Sequence, residues 1–377
     1  MKIAIVCDDL IQFGGAEKIV EAISDLYPDA PIYTSIASKE WIKRFEDKGR
    51  KVITSFLQKF PFSVKLNRYY SPFLLHALAF ESFDLSDFDL VISSSSRFAH
   101  FVITKPSTQH ICYMHCPGRM FWESSDYFEN ENYGILKPIK KLAIPFLSLP
   151  LTYLRIADFN ASKKVDKFIA NSKVTQDKIK KYYGRESEII NPYVDLDNFK
   201  NIVSEDGDYF LILTRLISWK KIDIAIEACS NLNLKLKILG CGPDMDRLKS
   251  LSDSDNIEFL GYINDKDKAD VIRKCKAVIV TQKEDFGIVP LEAMACGKSV
   301  IAFKSGGVLE TIIDGVTGIF FEDQTSDSLS KVLKDFNSKN YKSEDCIKRS
   351  QDFRKEVFFD RIRNTVINYF SGLENQM

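Results

Sequence analysis

Two carboxylates, Glu284 and Glu292, flank a Phe-Gly turn in the run Glu284-Asp-Phe-Gly-Ile-Val-Pro-Leu-Glu292. Ala277 to Thr281, just before them, reads as a buried strand, and Glu284 to Ile288 as the loop at its carboxyl end. Pro290 reads as the first residue of a helix and Gly297 as its end. Ligands of open parallel sheets bind at the carboxyl ends of the strands. A helix N-terminus placed there offers unpaired N–H groups and partial positive charge, which suits phosphate. On this reading Glu292, in the first helical turn, accepts ribose hydroxyls, Glu284 reaches a sugar ring, and the N–H groups around Gly287, Ile288 and Val289 face a diphosphate. The competing reading is an ordinary strand-loop-helix unit with solvated glutamates.

Cations of matching type follow a second strand. In Thr214-Arg-Leu-Ile-Ser-Trp-Lys-Lys221, Arg215 and Lys220 are spaced to clamp a diphosphate, the arginine through its fork and the lysine as a point charge. Lys221 replaces Lys220 if the loop is shifted by one, and solvated surface charge is the alternative. His115 ends the apolar run from Gln109, where it either lies in a ligand crevice or is a structural histidine bonded to a neighbouring carbonyl. Gly14 and Gly15 follow the first strand and open a helix; they let backbone N–H groups approach a phosphate closely, or form a plain tight turn. Neither this pair nor Gly240-Cys-Gly-Pro-Asp-Met245 completes the G-x-G-x-x-G of a dinucleotide site, so no nicotinamide cofactor is expected and the Gly240 turn reads as structural. No cluster of histidine, cysteine and acid has metal-ligand spacing. The expectation is metal-independent chemistry with no cofactor.

Short apolar runs alternating with amphipathic stretches must hold these groups, which is the pattern of parallel α/β sheets. Strands are expected at Lys2–Cys7, Pro31–Ser35, Lys51–Thr54, Leu90–Ser93, Gln109–Met114, Lys167–Ala170 and Glu188–Ile190. A second series comprises Tyr209–Leu213, Leu234–Leu239, Ile257–Leu260, Ala277–Thr281, Ser299–Phe303 and Gly318–Phe321. Between the series, Asn191 to Phe199 and the polar Ser204 to Asp208 read as a linker. The last helix, about Glu356 to Phe370, carries Val357, Phe358, Ile362, Val366 and Tyr369 near helical spacing and must dock somewhere.

A chain of 377 residues exceeds the usual size of one core, so two domains are expected. Its 52 basic residues balance 52 acidic ones, which argues against a nucleic-acid binder working by bulk charge. The cysteines are scattered and read as reduced, mostly buried thiols. With no basic leader before the first strand, a cytoplasmic protein is expected. No segment reaches the roughly 18 uninterrupted apolar residues of a membrane span. Ile135 to Ile156, rich in proline, lysine and apolar residues, reads either as a membrane-surface segment or as a partly buried linking stretch. Phe56-Leu-Gln-Lys-Phe-Pro-Phe62, ahead of Lys65 and Arg68, reads as a contact with lipid or a lipid-linked acceptor, or as an aromatic loop packed on its own domain.

The Glu284–Glu292 run, continued by Ala-Met-Ala-Cys-Gly297, resembles the signature of retaining glycosyltransferases of family 4. Gly14-Gly-Ala-Glu-Lys18, Arg215-Leu-Ile-Ser-Trp-Lys220 and Ser305-Gly-Gly-Val-Leu-Glu310 resemble further motifs of that family. His115-Cys-Pro-Gly-Arg-Met-Phe-Trp-Glu123 is similar to the His-Thr-Pro-x-Arg-Tyr-x-Trp-Asp of its O-antigen mannosyltransferases, departing at Cys116, Met120 and Glu123 but keeping His115 and Arg119 in register. Pro28 to Tyr33, Phe83 to Ser93, Asp166 to Ser172 and Tyr183 to Arg185 add to that likeness.

The resemblance implies the GT-B fold, two doubly wound Rossmann-like domains facing a central cleft. Residues 1–198 would bind the acceptor, residues 199–352 the nucleotide-sugar donor, and a final helix at about 353–377 would pack back on the first domain. It implies transfer of a hexose, mannose from GDP-mannose, to a saccharide or lipid-linked glycan during surface polysaccharide synthesis, by a cytoplasmic enzyme at the inner face of the membrane. Glu284, His115, Arg215 and Lys220 would be catalytic. Gly14, Gly15, Phe286, Gly287, Ile288, Val289 and Glu292 would join Arg215 and Lys220 on the donor, and Arg119 would touch acceptor or sugar. Alternatives are a nucleotide-sugar 2-epimerase of the same fold and a non-catalytic sugar-nucleotide-binding protein.

Overall fold

A computed structural model describes residues 1–70, 73–123, 140–199, 203–252, 255–263 and 265–374. Residues 135–139 of the proline- and lysine-rich stretch and the side chain of Arg68 fall outside the described residues. The rest of that stretch lies within a helix, Lys140–Ser162.

Every strand expected from the sequence is present, with ends shifted by a residue or two, and the strands form two all-parallel sheets. The first joins β1 (Ile3–Cys7), β2 (Ile32–Thr34), β3 (Val52–Thr54), β4 (Leu90–Ser95), β5 (Gln109–Met114), β6 (Lys167–Ala170) and β7 (Ser187–Ile189) in the order β3-β2-β1-β4-β5-β6-β7. The second joins β8 (Tyr209–Leu213), β9 (Lys235–Leu239), β10 (Ile257–Gly261), β11 (Val278–Val280), β12 (Val300–Phe303) and β13 (Gly318–Phe321) in the order β10-β9-β8-β11-β12-β13. Both are doubly wound: the order reverses beside β1 in one and beside β8 in the other, and a crevice for ligands opens at such a reversal.

Continuous apolar runs, rather than alternating ones, make these strands because both faces of each sheet are covered. In the second sheet Tyr209, Leu211, Val278, Val280, Val300 and Ala302 enter the core on one face. Their neighbours Phe210, Ile212, Ala277, Ile279 and Ile301 enter the core on the other. Helix ends follow local chemistry. The hydroxyls of Ser172 and Thr325 accept the N–H groups of Thr175 and Ser328, and Gly184 ends its helix in the left-handed region at φ 66°.

The chain divides into two compact units. The first takes in the described residues of 1–127 and 135–191 together with those from Arg361 onward; the second takes in the described residues of 192–360. The units divide at Asn191–Pro192, within the stretch read as a linker, and the residues after that point pack on the second unit. Val194 N donates to Phe353 O at 2.9 Å, and Val194 and Phe199 sit in the core of the second unit, so this segment packs there. The last helix, Lys355–Glu374, straddles the return to the first unit. Phe358, Ile362, Thr365 and Val366 are buried along one stripe of it. Within the first unit, Thr365 Oγ1 donates to Glu188 at 3.0 Å and Tyr369 OH to Gln109 Oε1 at 3.0 Å.

Candidate active site

In the second unit the order reversal lies between β8 and β11, and the loops that leave those two strands carry the residues singled out above. The loop after β8 runs from Thr214 into a short 3-10 turn, Ser218–Lys220; the loop after β11 runs from Thr281 to Gly287. Lys220 Nζ lies 2.6 Å from Glu284 Oε1, with both side chains mostly shielded from solvent. Gln282 Nε2 donates to the same oxygen at 2.5 Å, and the Lys220 ammonium rests 4.3 Å above the Trp219 ring. Thr281 Oγ1 donates to Lys220 O at 2.8 Å, and Gln324 Nε2 to Thr281 O at 2.9 Å, so the two loops are cross-linked through backbone as well as side chains. A cation and a carboxylate are thereby held face to face across the crevice position of the sheet.

Glycines make this closeness sterically feasible. Gly306 holds φ +88°, and a Cβ there would stand 2.1 Å from Glu284 O; one on Gly307 would stand 2.3 Å from Phe286 Cα. Gly307 N donates to Glu284 O at 2.8 Å, so the loop after β12 props the Glu284 loop from below. The Gly240 turn serves the cation side in the same way. A Cβ on Gly240 would meet Thr214 O at 1.9 Å, and one on Gly242 would meet Leu216 O at 2.1 Å. Leu216 N donates to Cys241 O at 3.0 Å, which fixes the backbone around Arg215.

The helix after Gly287 differs from its expected form. It spans Ile288–Ala295 with Gly287 as N-cap at φ 89°, so Pro290 is its third residue rather than its first, and Glu292 lies beyond the first turn. Proline fits there because the first N–H groups of a helix have no intrahelical acceptor. The groups left to face an anion at this end are the N–H groups of Ile288 and Val289. Glu292 is 7% exposed, and Lys268 Nζ lies 2.8 Å from its Oε1. Phe286 is likewise repositioned. Its ring is buried in the core against Phe353 at 5.8 Å between centroids, so it anchors the loop and offers a ligand only its backbone.

In the first unit the polar groups also gather at the carboxyl ends of β1, β4 and β5. His115 follows β5; its Nε2 is 2.8 Å from Ser94 Oγ, its carbonyl accepts from Thr175 Oγ1 at 3.0 Å, and it packs edge-on to Tyr113. Arg119 opens a short helix, Arg119–Trp122, capped by Gly118. Gly14 is the N-cap of the helix Gly15–Leu26. Three residues here were not singled out from the sequence. Asp8 accepts the N–H groups of Ser96, Arg97, Phe98 and Ala99 at 2.6 to 3.0 Å. Burial alone would push its carboxyl up, but the Arg97 charge and these N–H groups hold it below its ordinary value. Asp9 pairs with Arg97 and with Asn67. Glu17, third in its helix, is buried, which pushes its carboxyl up to about 7 against the pull of its own N–H, Gln12 and the Gly14 N–H. The available signal was positional: Asp8-Asp9 and Ser94-Ser-Ser-Arg97 directly follow apolar strands, as ligand-facing residues of such sheets do.

Residues 194–353 match the family of Glycosyl transferases group 1. That stretch holds the β8 and β11 loops and the glycine turns. An uncharacterized glycosyltransferase of Methanocaldococcus jannaschii is 30% identical over 185 residues, 47% of this chain and 52% of the relative. The alpha-1,3/1,6-mannosyltransferase ALG2 of Dictyostelium discoideum is 30% identical over 185 residues, 41% of this chain and 42% of that protein. The chain thus spans about half the length, or less, of these two relatives. Across nearly its whole length it shares a fold with Anabaena HepE, solved with UDP: the TM-score is 0.70 at 19% identity, over 98% of this chain and 100% of that one. The two Rossmann-like parallel-sheet units have the GT-B fold.

Proposed function

We propose that this chain is a retaining glycosyltransferase that moves mannose from GDP-mannose to a saccharide or lipid-linked glycan in surface-glycan synthesis. The observation that carries the reading is the Lys220–Glu284 pair, 2.6 Å apart at the sheet's order reversal inside the family-matched stretch. Breaking the sugar C1–O bond of a nucleotide sugar leaves a diphosphate, so the site must stabilise growing negative charge. Lys220 and Arg215 supply cations for it, the N–H groups of Ile288 and Val289 supply dipoles, and no metal is required of this set. Glu284 orients the sugar through its hydroxyls while the acceptor hydroxyl attacks C1 from the face the diphosphate leaves. The acceptor proton passes to the departing phosphate oxygen. Glu292 holds the nucleoside side, and the first unit, through His115 and Arg119, reads sugar and acceptor. Mannose is favoured by the His115–Glu123 likeness and by the mannosyltransferase ALG2 among the relatives. The competing donor is a UDP-sugar, since HepE is solved with UDP-glucose. The enzyme would work in the cytoplasm at the inner face of a membrane.

A ligand bound only by the folded state raises its melting temperature. GDP-mannose should raise it more than UDP-glucose or UDP-GlcNAc, and no rise with any GDP-sugar would end the mannosyl assignment. With the preferred donor and a glycan acceptor, Glu284→Ala and Lys220→Ala should each lower kcat by about 10²-fold or more with folding intact. Wild-type turnover in either folded variant would remove that residue from the mechanism. Free sugar released without acceptor would mark an epimerase instead.

A further inference from the structure

Between β3 and β4 the chain runs from Ser55 to Phe80 without one aspartate or glutamate, yet with Lys59, Lys65 and Arg68. The whole chain has as many acids as bases, so this asymmetry is local. The segment folds as a 3-10 turn, Phe56–Lys59, and two helices, Ser63–Tyr70 and Leu75–Glu81. Its inner side is conventional: Leu57 packs with Ile36 and Ala79, and His76 bonds Ser35 Oγ and Asn67 O at 3.0 Å each. Its outer side is not. Phe62 and Phe73 are each 73% exposed, and Phe56, Phe60 and Leu66 are exposed as well. Within the segment Phe56 adjoins Phe60 at 6.0 Å and Phe60 adjoins Tyr70 at 5.9 Å between centroids. Phe62 holds φ +54°, a conformation a bulky side chain rarely takes, and it does so with its ring outside the core. Contiguous exposed apolar surface on a folded protein marks a site of interaction.

We infer that this crossover docks on an anionic lipid bilayer, with Phe62 and Phe73 entering the headgroup region and Lys59 and Lys65 meeting lipid phosphates. The charge pattern selects that occupant. A cationic segment free of acids is attracted to an anionic leaflet, and phenylalanine beside lysine is the composition of interfacial segments. Lysine stems lie along apolar surface while their ammonium groups stay in water. Among the described residues no helix is long and apolar enough to cross a membrane, so this contact would be peripheral. The inference extends the location given under the proposed function, but its test uses neither donor nor acceptor, so either reading can fail alone.

The full-length protein is mixed with phosphatidylcholine vesicles, with and without phosphatidylglycerol, and the bound fraction is read by co-sedimentation at low and high salt. Binding should require phosphatidylglycerol and weaken with salt. Phe62→Ser with Phe73→Ser, and separately Lys59→Glu with Lys65→Glu, should each lower the partition coefficient about tenfold or more, at unchanged far-ultraviolet circular dichroism. A single variant, Phe73→Ser, read the same way, serves if the first pair fails to fold. Equal binding by all variants, or no binding of the wild type to anionic vesicles, would overturn the inference. So would a concentration-dependent dimer in ultracentrifugation that Phe62→Ser with Phe73→Ser abolishes, since that assigns the surface to a second copy.

Discussion

Glu17 lies third in its helix with its carboxyl turned back toward the Gly14 N–H, the reciprocal half of a capping box whose other half a glycine cannot supply. Burial raises its carboxyl from 4.5 to about 7, and the neighbouring Asp8 charge adds to that. A group that binds its proton more tightly when folded stabilises the fold below its unfolded value and loses that contribution as pH rises to its folded value. Stability should therefore fall between pH 4.5 and about 7, by at most about 3 kcal/mol. Glu17→Gln keeps the cap without the charge, so it should flatten this fall and melt higher than wild type at pH 8, with little difference at pH 4.5. Parallel melting-temperature profiles for the two proteins would show that Glu17 does not carry the effect. The carboxylate faces the Gly14 turn from the first turn of its helix.

At the scale of elements, the candidate site depends on backbone loops pressed together more tightly than any side chain allows. Gly306 is the sharpest case, with left-handed backbone and a virtual Cβ 2.1 Å from Glu284 O. Gly306→Ala should cost about 2–4 kcal/mol, about 1 of it from the left-handed conformation and the rest from displacing the Glu284 loop. Gly315→Ala is the control: its φ is +73° but nothing lies within 4 Å, so only the conformational part should appear. Chemical denaturation of the two variants separates the terms. Comparable losses in both would show that the Glu284 loop yields freely. How much of this was legible follows from the same geometry. Strands were legible because double-sided burial writes unbroken apolar runs, as in Tyr209–Leu213. The positions of Glu284 and Lys220 after strand ends were legible too. The start of the helix at Ile288 was not: proline is tolerated anywhere in a first turn, so it marks the region and not the residue. Lys268 was invisible beside Glu292 because its helix, Asp265–Arg273, is remote in sequence and a lone surface-type lysine carries no spacing signal.

For the molecule as a whole, the units divide within the linker expected from the sequence, and the rest of that run packs on the second unit because Val194 and Phe199 are apolar anchors. The last helix follows the opposite logic. Its apolar stripe at Phe358, Ile362 and Val366 requires a docking surface, and its tertiary bonds to Glu188 and Gln109 identify where it lies. A chain ended after Asp360 should retain a cooperative calorimetric transition for the second unit while the first unit melts at lower temperature or not cooperatively. Two transitions unchanged from the full chain would show that the helix is dispensable.

Because the first unit is closed by residues that follow the second, the two units cannot mature in the order in which they are translated. Residues 192–360 can finish folding while the ribosome is still adding the piece their predecessor awaits. The N-terminal sheet must wait with the surface meant for Ile362 and Val366 open to water. Such a protein is exposed to aggregation during synthesis at its beginning rather than its end, and a late stop codon would damage the part made first.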